Sequence, residues 1–194
     1  MVKTTSMLLE ELGNYADRFG KIKRLCAEGK LYPLTKGIYE TDGTLPGYLL
    51  APVLYGPSYL SFDYALSEYG LIPEGVREYT CATHGKGKRK NYSTHFGDYS
   101  YRDIPSAAFP FETLLLSEGE YSYSIATPEK ALCDKLYTLH PVKNLSELER
   151  LLFEDLRINE EEFAKLNPTL VAELSELYHC NNIRFFSHYI RRHP

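Results

Sequence analysis

The strongest constraint on how this chain folds is one uninterrupted run from Ser58 to Thr83, SYLSFDYALSEYGLIPEGVREYTCAT. It reads as an amphipathic helix, a glycine stop, a turn and a strand, with no polar linker between them. Ser58 is the expected cap, and Leu60, Tyr64, Ala65 and Leu66 share one helical face. Gly70 ends the helix, and Leu71-Ile72-Pro73 prevents its continuation because proline has no N–H and clashes with the preceding turn. Val76 to Thr83 then alternates as a strand. A second unit of this kind is IATPEKALCDKLY, Ile125 to Tyr137, a strand running into a helix with Thr127 as cap and Pro128 at the first helical position. Neither run holds a catalytic constellation. Both build a platform, so function is sought in what the platform carries.

The N-terminal segment is where charge concentrates. Net charge over the chain is −4, which argues against a protein that coats nucleic acid indiscriminately. From Arg18 to Lys36, however, Arg18, Lys21, Lys23, Arg24, Lys30 and Lys36 face the single acid Glu28, a local excess of +5. Residues 4–14 read as a short helix, capped by Thr5 or Ser6 and stopped at Gly13. Ala16 to Glu28 reads as a second, with Phe19, Ile22, Leu25 and Cys26 at helical spacing and Gly29 at its end. Two short β runs come next, 31–34 and 37–41, around a turn at Thr35-Lys36-Gly37. Helix, basic helix, small hairpin is the order of elements in a winged helix. Only fifteen residues precede the basic helix, so the element is a trimmed version or borrows packing from the larger domain after it.

Asp42 to Pro46 is the expected boundary, giving residues 1–44 as a DNA-binding element and 45–194 as a mixed α/β domain, helical from about 127. The expected class is α+β. Within the larger domain, GKGKRK (residues 85–90) is a basic, glycine-containing loop. Lys86, Lys88, Arg89 and Lys90 are a candidate second nucleic-acid contact, set against the plainer reading of a solvated connection. Tyr92 to Ile104 reads as a hairpin turning at Gly97-Asp98, and 111–116 with 120–126 as a strand pair. Asn159 with Glu162 resembles a capping box, Leu170, Leu174 and Leu177 form one helical stripe, and Ile183, Phe186 and Ile190 another.

Several chemistries find no support in the residues. There is no GxSxG elbow and no GxxxxGK[ST] phosphate loop, and Gly56-Pro57-Ser58 with Asp63 lacks the paired carboxylates of a nucleotidyltransferase. His179, Cys180, His188 and His193 match no zinc spacing, and the four cysteines form no CxxC pair and read as reduced. No cofactor, no metal and no catalysis are expected. No apolar run approaches ~18 residues and the N-terminus lacks a signal-peptide core, so the expected location is cytoplasmic, without a membrane partner.

The stretches GPSYLSFDYALSEYGLIPE, REYTCAT and IATPEKALCDKLY, together with IKRLCAEGKLYPLTKGIYE near the N-terminus, resemble the AbiEi family of antitoxins from abortive-infection, type IV toxin–antitoxin systems. The resemblance covers roughly residues 15–140. It implies an N-terminal winged helix joined to a larger α/β antitoxin domain. It also implies repression of the chain's own operon through double-stranded operator DNA, and neutralisation of a cognate nucleotidyltransferase toxin without a stable complex. By position, Lys21, Lys23 and Arg24 on the helix and Lys36 on the wing are the implied DNA contacts, with Leu31 and Tyr39 pinning the wing. Arg24 is the expected base contact, because its fork pairs with guanine at two atoms. Two alternatives stand beside this: a non-catalytic interaction module with a degenerate winged helix, and a nucleic-acid-modifying enzyme whose acids assemble only in three dimensions.

Overall fold

The computed structural model of the protein describes residues 1–192. It is a mixed α+β structure with two sheets. The first is built by β1 (Val2–Thr4), β2 (Tyr32–Thr35) and β3 (Ile38–Glu40), all antiparallel in the order β1-β3-β2, with α1 (Thr5–Glu11) and α2 (Arg18–Ala27) between β1 and β2. The strand β1 precedes the helix expected over residues 4–14 and takes only Thr4 from it. Three residues carry too little pattern to declare a strand, and only pairing with Tyr39 and its neighbours makes it one. The cap of α1 is accordingly Thr4, whose hydroxyl accepts from the Met7 N–H, rather than Thr5 or Ser6.

The second sheet has six strands in the order β6-β7-β5-β4-β9-β8: β4 (Tyr59–Leu60), β5 (Tyr79–Thr83), β6 (Lys90–Thr94), β7 (Gly97–Asp103), β8 (Thr113–Glu118) and β9 (Tyr121–Ala126). Strands β5 and β7 pair in parallel, as do β4 and β9, while β6 and β8 close hairpins at the two edges. Short helical turns at Gly47–Leu50 and α3 (Ala51–Leu54) cross one face. There the buried Tyr99 and Tyr101 donate their hydroxyls to the Gly47 and Ala51 carbonyls, at 2.8 and 2.7 Å. The helices α4 (Phe62–Glu68), α5 (Pro128–Tyr137), α6 (Leu145–Arg150), α7 (Glu160–Phe163), α8 (Pro168–Tyr178) and α9 (Asn181–Ile190) complete the core, in which Leu66, Leu132, Leu136, Val171, Ile183 and Phe186 are fully buried. Among the described residues no helix is long and apolar enough to cross a membrane.

Ser58 does not cap the helix after it. Tyr59 and Leu60 are instead drawn into the sheet between β5 and β9, which delays α4 to Phe62. Ser61 then stands at the cap position, but its hydroxyl donates to the buried Asp134 carboxylate at 2.6 Å. The capping acceptor comes from the neighbouring strand: Thr80 Oγ1 accepts from the Tyr64 N–H at 3.0 Å. Two other expectations shift for tertiary reasons. The β6–β7 turn falls at His95-Phe96, while Gly97 lies against the Tyr79 ring, where a Cβ would meet Cε2 at 3.0 Å. In α8 the buried stripe is Val171, Leu174 and Tyr178, because the Tyr178 hydroxyl joins the Asp134 cluster.

Local chemistry prevails where it is self-contained. Thr127 accepts from the Lys130 N–H with Pro128 in the first turn of α5. Gly70 ends α4 at φ +68, a conformation that a side chain resists. Asn159 accepts from the Glu161 and Glu162 N–H groups.

Candidate nucleic-acid interface

The N-terminal unit is held by a small apolar cluster of Leu8, Ile22 and Leu31, with Leu9, Leu12, Leu25, Cys26 and Tyr39 around it. Helix α2 starts at Asp17, whose carboxylate accepts from the Gly20 N–H at 2.8 Å. A Cβ on Gly20 would meet the same carboxylate at 1.8 Å, so a larger residue there would have to displace the capping side chain. With Ile22, Leu25 and Cys26 turned inward, the 100° step of the helix puts Gly20, Lys23, Arg24 and Ala27 on the opposite face. Two cations therefore flank two small residues on the side away from the cluster. Phe19, expected on the apolar stripe, lies at its margin and is 62% exposed.

The six candidate cations divide by what they touch. Lys23, Arg24 and Lys36 are exposed, and among the described residues none has a hydrogen bond or ion pair. Lys21 is half-buried, its ammonium 5.4 Å from the centre of the Tyr15 ring. Arg18 donates to the Leu9 carbonyl at 3.3 Å and so joins the two helices. Lys30 pairs with Glu28 at 2.8 Å; hydrogen bonding and the charge of Lys30 hold the Glu28 carboxyl below its usual range, and Glu28 raises Lys30 in return. Lys36 occupies the β2–β3 turn beside Gly37, whose carbonyl accepts from the Thr5 N–H at 2.8 Å and fixes that turn to the start of α1.

The unit is tied to the larger sheet through Glu40, a fully buried carboxylate at the end of β3. It accepts from the Tyr121 hydroxyl on β9 at 2.7 Å, from the Thr41 and Asp42 N–H groups at 2.7 and 3.0 Å, and from the Met1 amino group. Burial pushes this carboxyl up, but the four donors outweigh it and the net shift is down.

The basic loop 85–90 is likewise anchored rather than loose. Asp103 accepts from the Thr83 hydroxyl and from the Lys86 and Gly87 N–H groups, each at 2.7 Å. Lys86 donates to the Gly56 carbonyl at 3.0 Å and lies over the Tyr55 ring, and Lys90 lies over the Tyr92 ring. Lys88 and Arg89 remain directed outward, and with Arg102, Asp103, Tyr137 and Thr138 they line a notch of about 280 Å³. Arg102 is the residue that the loop pattern misses. The alternation of Tyr99 and Tyr101 inward along β7 is the signal that turns Arg102 to the other face.

A larger groove of about 640 Å³ lies among the C-terminal helices. Glu147, Glu149, Glu154 and Glu160 surround it with a single arginine, Arg150, and Phe153, Phe163 and Tyr189 form its floor. The helix widens to a π turn over Leu151–Asp155 where it meets the groove. Among the described residues no group of three or more His, Cys, Asp or Glu side chains comes together as a metal site, and His193 lies outside them. No family model and no curated protein matches the chain.

Proposed function

We infer that the protein is a DNA-binding repressor of its own operon and an antitoxin acting against a nucleotidyltransferase toxin, without catalysis of its own. The observation that carries the DNA half is the solvent face of α2, where Lys23 and Arg24 flank Gly20 and Ala27. Small residues between two unpaired cations let a phosphate backbone approach closely, and the arginine fork has room to reach a base edge. The reading of residues 1–44 as a winged-helix element is supported by the order β1-α1-α2-β2-β3 and the sheet order β1-β3-β2. Lys88, Arg89 and Arg102 offer a second, sequence-independent phosphate contact. The antitoxin half rests on the resemblance of the Ser58–Thr83 and Ile125–Tyr137 runs.

The test of the DNA half is a gel shift with DNA from upstream of the gene, comparing the wild type with K23E/R24E. Loss of binding with an unchanged circular dichroism spectrum supports the assignment, and undiminished binding removes it. The antitoxin half is tested by co-expression with a nucleotidyltransferase encoded beside the gene: restored growth supports it, and continued arrest counts against it.

A second reading, a non-catalytic interaction module, is favoured by the acidic, aromatic-floored groove of α6, α7 and α9, whose charge suits a cationic segment of a partner protein. That reading requires a stable complex on co-purification and little affinity for duplex DNA.

A further inference from the structure

The two edges of the six-stranded sheet are built differently. Strand β6, KNYST, carries the exposed Lys90, Asn91 and Ser93, the polar and cationic character that keeps an edge from recruiting other strands. Strand β8, TLLLSE, has no lysine and no proline, and among the described residues no strand or helix covers its outer side. Its leucines are exposed in succession: Leu114 by 46%, Leu115 by 73% and Leu116 by 41%. Directly opposed residues of an antiparallel pair share a face. Leu114 opposes Ile125 and Leu116 opposes Tyr123, so these two lie on one face, while Leu115 opposes Ser124 on the other. Apolar groups on both faces, together with an open row of backbone donors and acceptors, suit another strand in the same plane better than a helix lying on one face.

We propose that β8 pairs antiparallel with β8 of a second copy, about a two-fold axis passing beside Leu115 perpendicular to the sheet. The strand is complementary to itself in this register. Leu115 opposes Leu115 of the second copy, Leu114 opposes Leu116, and Thr113 opposes Ser117, so leucine meets leucine on both faces, and like charges meet only at the two ends, where Glu118 comes up to Glu112 of the second copy. Glu118 is the one charge of the strand itself, and it accepts from the Tyr48 hydroxyl at 2.6 Å. A six-residue edge buries less than the ~800 Å² per partner of a stable interface, so the dimer is weak and concentration-dependent.

The pairing has a geometric consequence for the N-terminal units. Tyr121 and Tyr123 share the face of Leu114 and Leu116, and it is on that face that Tyr121 holds Glu40 and Tyr123 packs on Tyr48, with ring centres 5.0 Å apart. The perpendicular two-fold axis keeps both N-terminal units on one side of the joined sheet. Their anchor, Tyr121, lies opposite Glu118, and the two Glu118 positions are separated along the strand by six residues, about 20 Å. Two basic helices on one side suit a palindromic operator with half-sites about 34 Å apart. That use rests on the DNA-binding reading, whereas the strand pairing does not.

The test is sedimentation equilibrium of the full chain without DNA over roughly 5–300 μM, where mass action reveals a weak dimer, so a failure of the DNA reading leaves the result untouched. Three variants accompany it. Leu115→Glu places like charges across the axis at an exposed position where the fold is indifferent, and is expected to weaken association at least tenfold. Leu115→Cys is expected to form a disulfide across the axis when diamide takes up the two electrons and two protons of the thiol pair. Ser122→Cys, exposed on β9, serves with the wild type as the control and is expected not to cross-link. A wild type that stays monomeric over the whole range overturns the proposal. So does association unchanged in Leu115→Glu, or cross-linking of Leu115→Cys no greater than that of Ser122→Cys. A dimer that survives Leu115→Glu would mean that another surface holds it.

Discussion

The ammonium of Lys130 lies 3.4 Å from the carboxylate of Asp134, one turn further along α5, and both side chains are wholly buried. Asp134 also accepts from the hydroxyls of Ser61 at 2.6 Å, Tyr59 at 2.9 Å and Tyr178, while Lys130 donates to the Ala108 carbonyl at 2.7 Å and to Tyr178. One cluster therefore fastens α5 to β4, to α8 and to the loop before β8. Burial pushes the Lys130 amine down against the pull of Asp134, and burial followed by the Asp134 charge pushes the Tyr59 and Tyr178 hydroxyls up.

The partners of this pair are unequal, and their removal has unequal effects. Asp134→Ala strands a buried ammonium and leaves three hydroxyls without their acceptor, with an expected loss of about 3–5 kcal/mol. Lys130→Met leaves a carboxylate still holding three hydroxyl donors, with an expected loss of about 1–3 kcal/mol. Urea unfolding measures both, and equal losses would contradict the network described.

Glu40 makes stability fall in acid. Its folded-state pKa lies below the ordinary value of 4.5, so its contribution is complete above about that pH and disappears as pH falls through the lower folded value. Glu40→Gln is expected to cost about 1–2 kcal/mol at pH 7. The variant's denaturation midpoint should change less between pH 5 and pH 3 than that of the wild type. An acid profile parallel to that of the wild type would assign the loss to other carboxylates.

Asp103 is the anchor of the basic loop. Asp103→Ala removes three acceptor contacts at once and is expected to expose the bonds after Lys86, Lys88 and Arg89 to trypsin while the remaining core stays protected. Limited proteolysis with mass spectrometry reads this directly. Resistance equal to that of the wild type would show that the Lys86 contacts with Gly56 and Tyr55 suffice.

Charge reversal separates the two basic patches by what each recognises. Lys88→Glu with Arg89→Glu is expected to weaken binding to operator and to random duplexes by the same factor, as phosphate contacts do. Arg24→Ala is expected to narrow the difference between the two duplexes, at about 1–3 kcal/mol for a lost bidentate base contact. Anisotropy titrations of both duplexes at one salt concentration measure this, and a selective effect of the loop variant would reverse the assignment.

The parts of the fold legible in sequence are those whose chemistry lies within a few residues. Thr127-Pro128 at the start of α5 and Gly70 at the end of α4 are such cases. Ser58 misleads because the fate of Tyr59 and Leu60 is decided by pairing with strands some twenty and sixty-five residues away. Strand β1 is invisible for the same reason. At the candidate interface, Lys23 and Arg24 are legible because they oppose the stripe of Ile22, Leu25 and Cys26. Arg18 and Lys30 read alike in sequence, yet the Leu9 carbonyl and Glu28 engage them, and a charge count is blind to such contacts.

Whether the outward cations of α2 bind operator DNA is decided by the salt dependence of binding to a duplex from upstream of the gene, measured for the wild type and K23E/R24E. About four phosphate contacts predict a slope of log affinity against log salt near −4, and the double reversal should flatten it by about two and weaken binding at least about a hundredfold. Equal slopes and equal affinities for the two proteins, or no salt-dependent binding by the wild type, would refute the DNA-binding assignment.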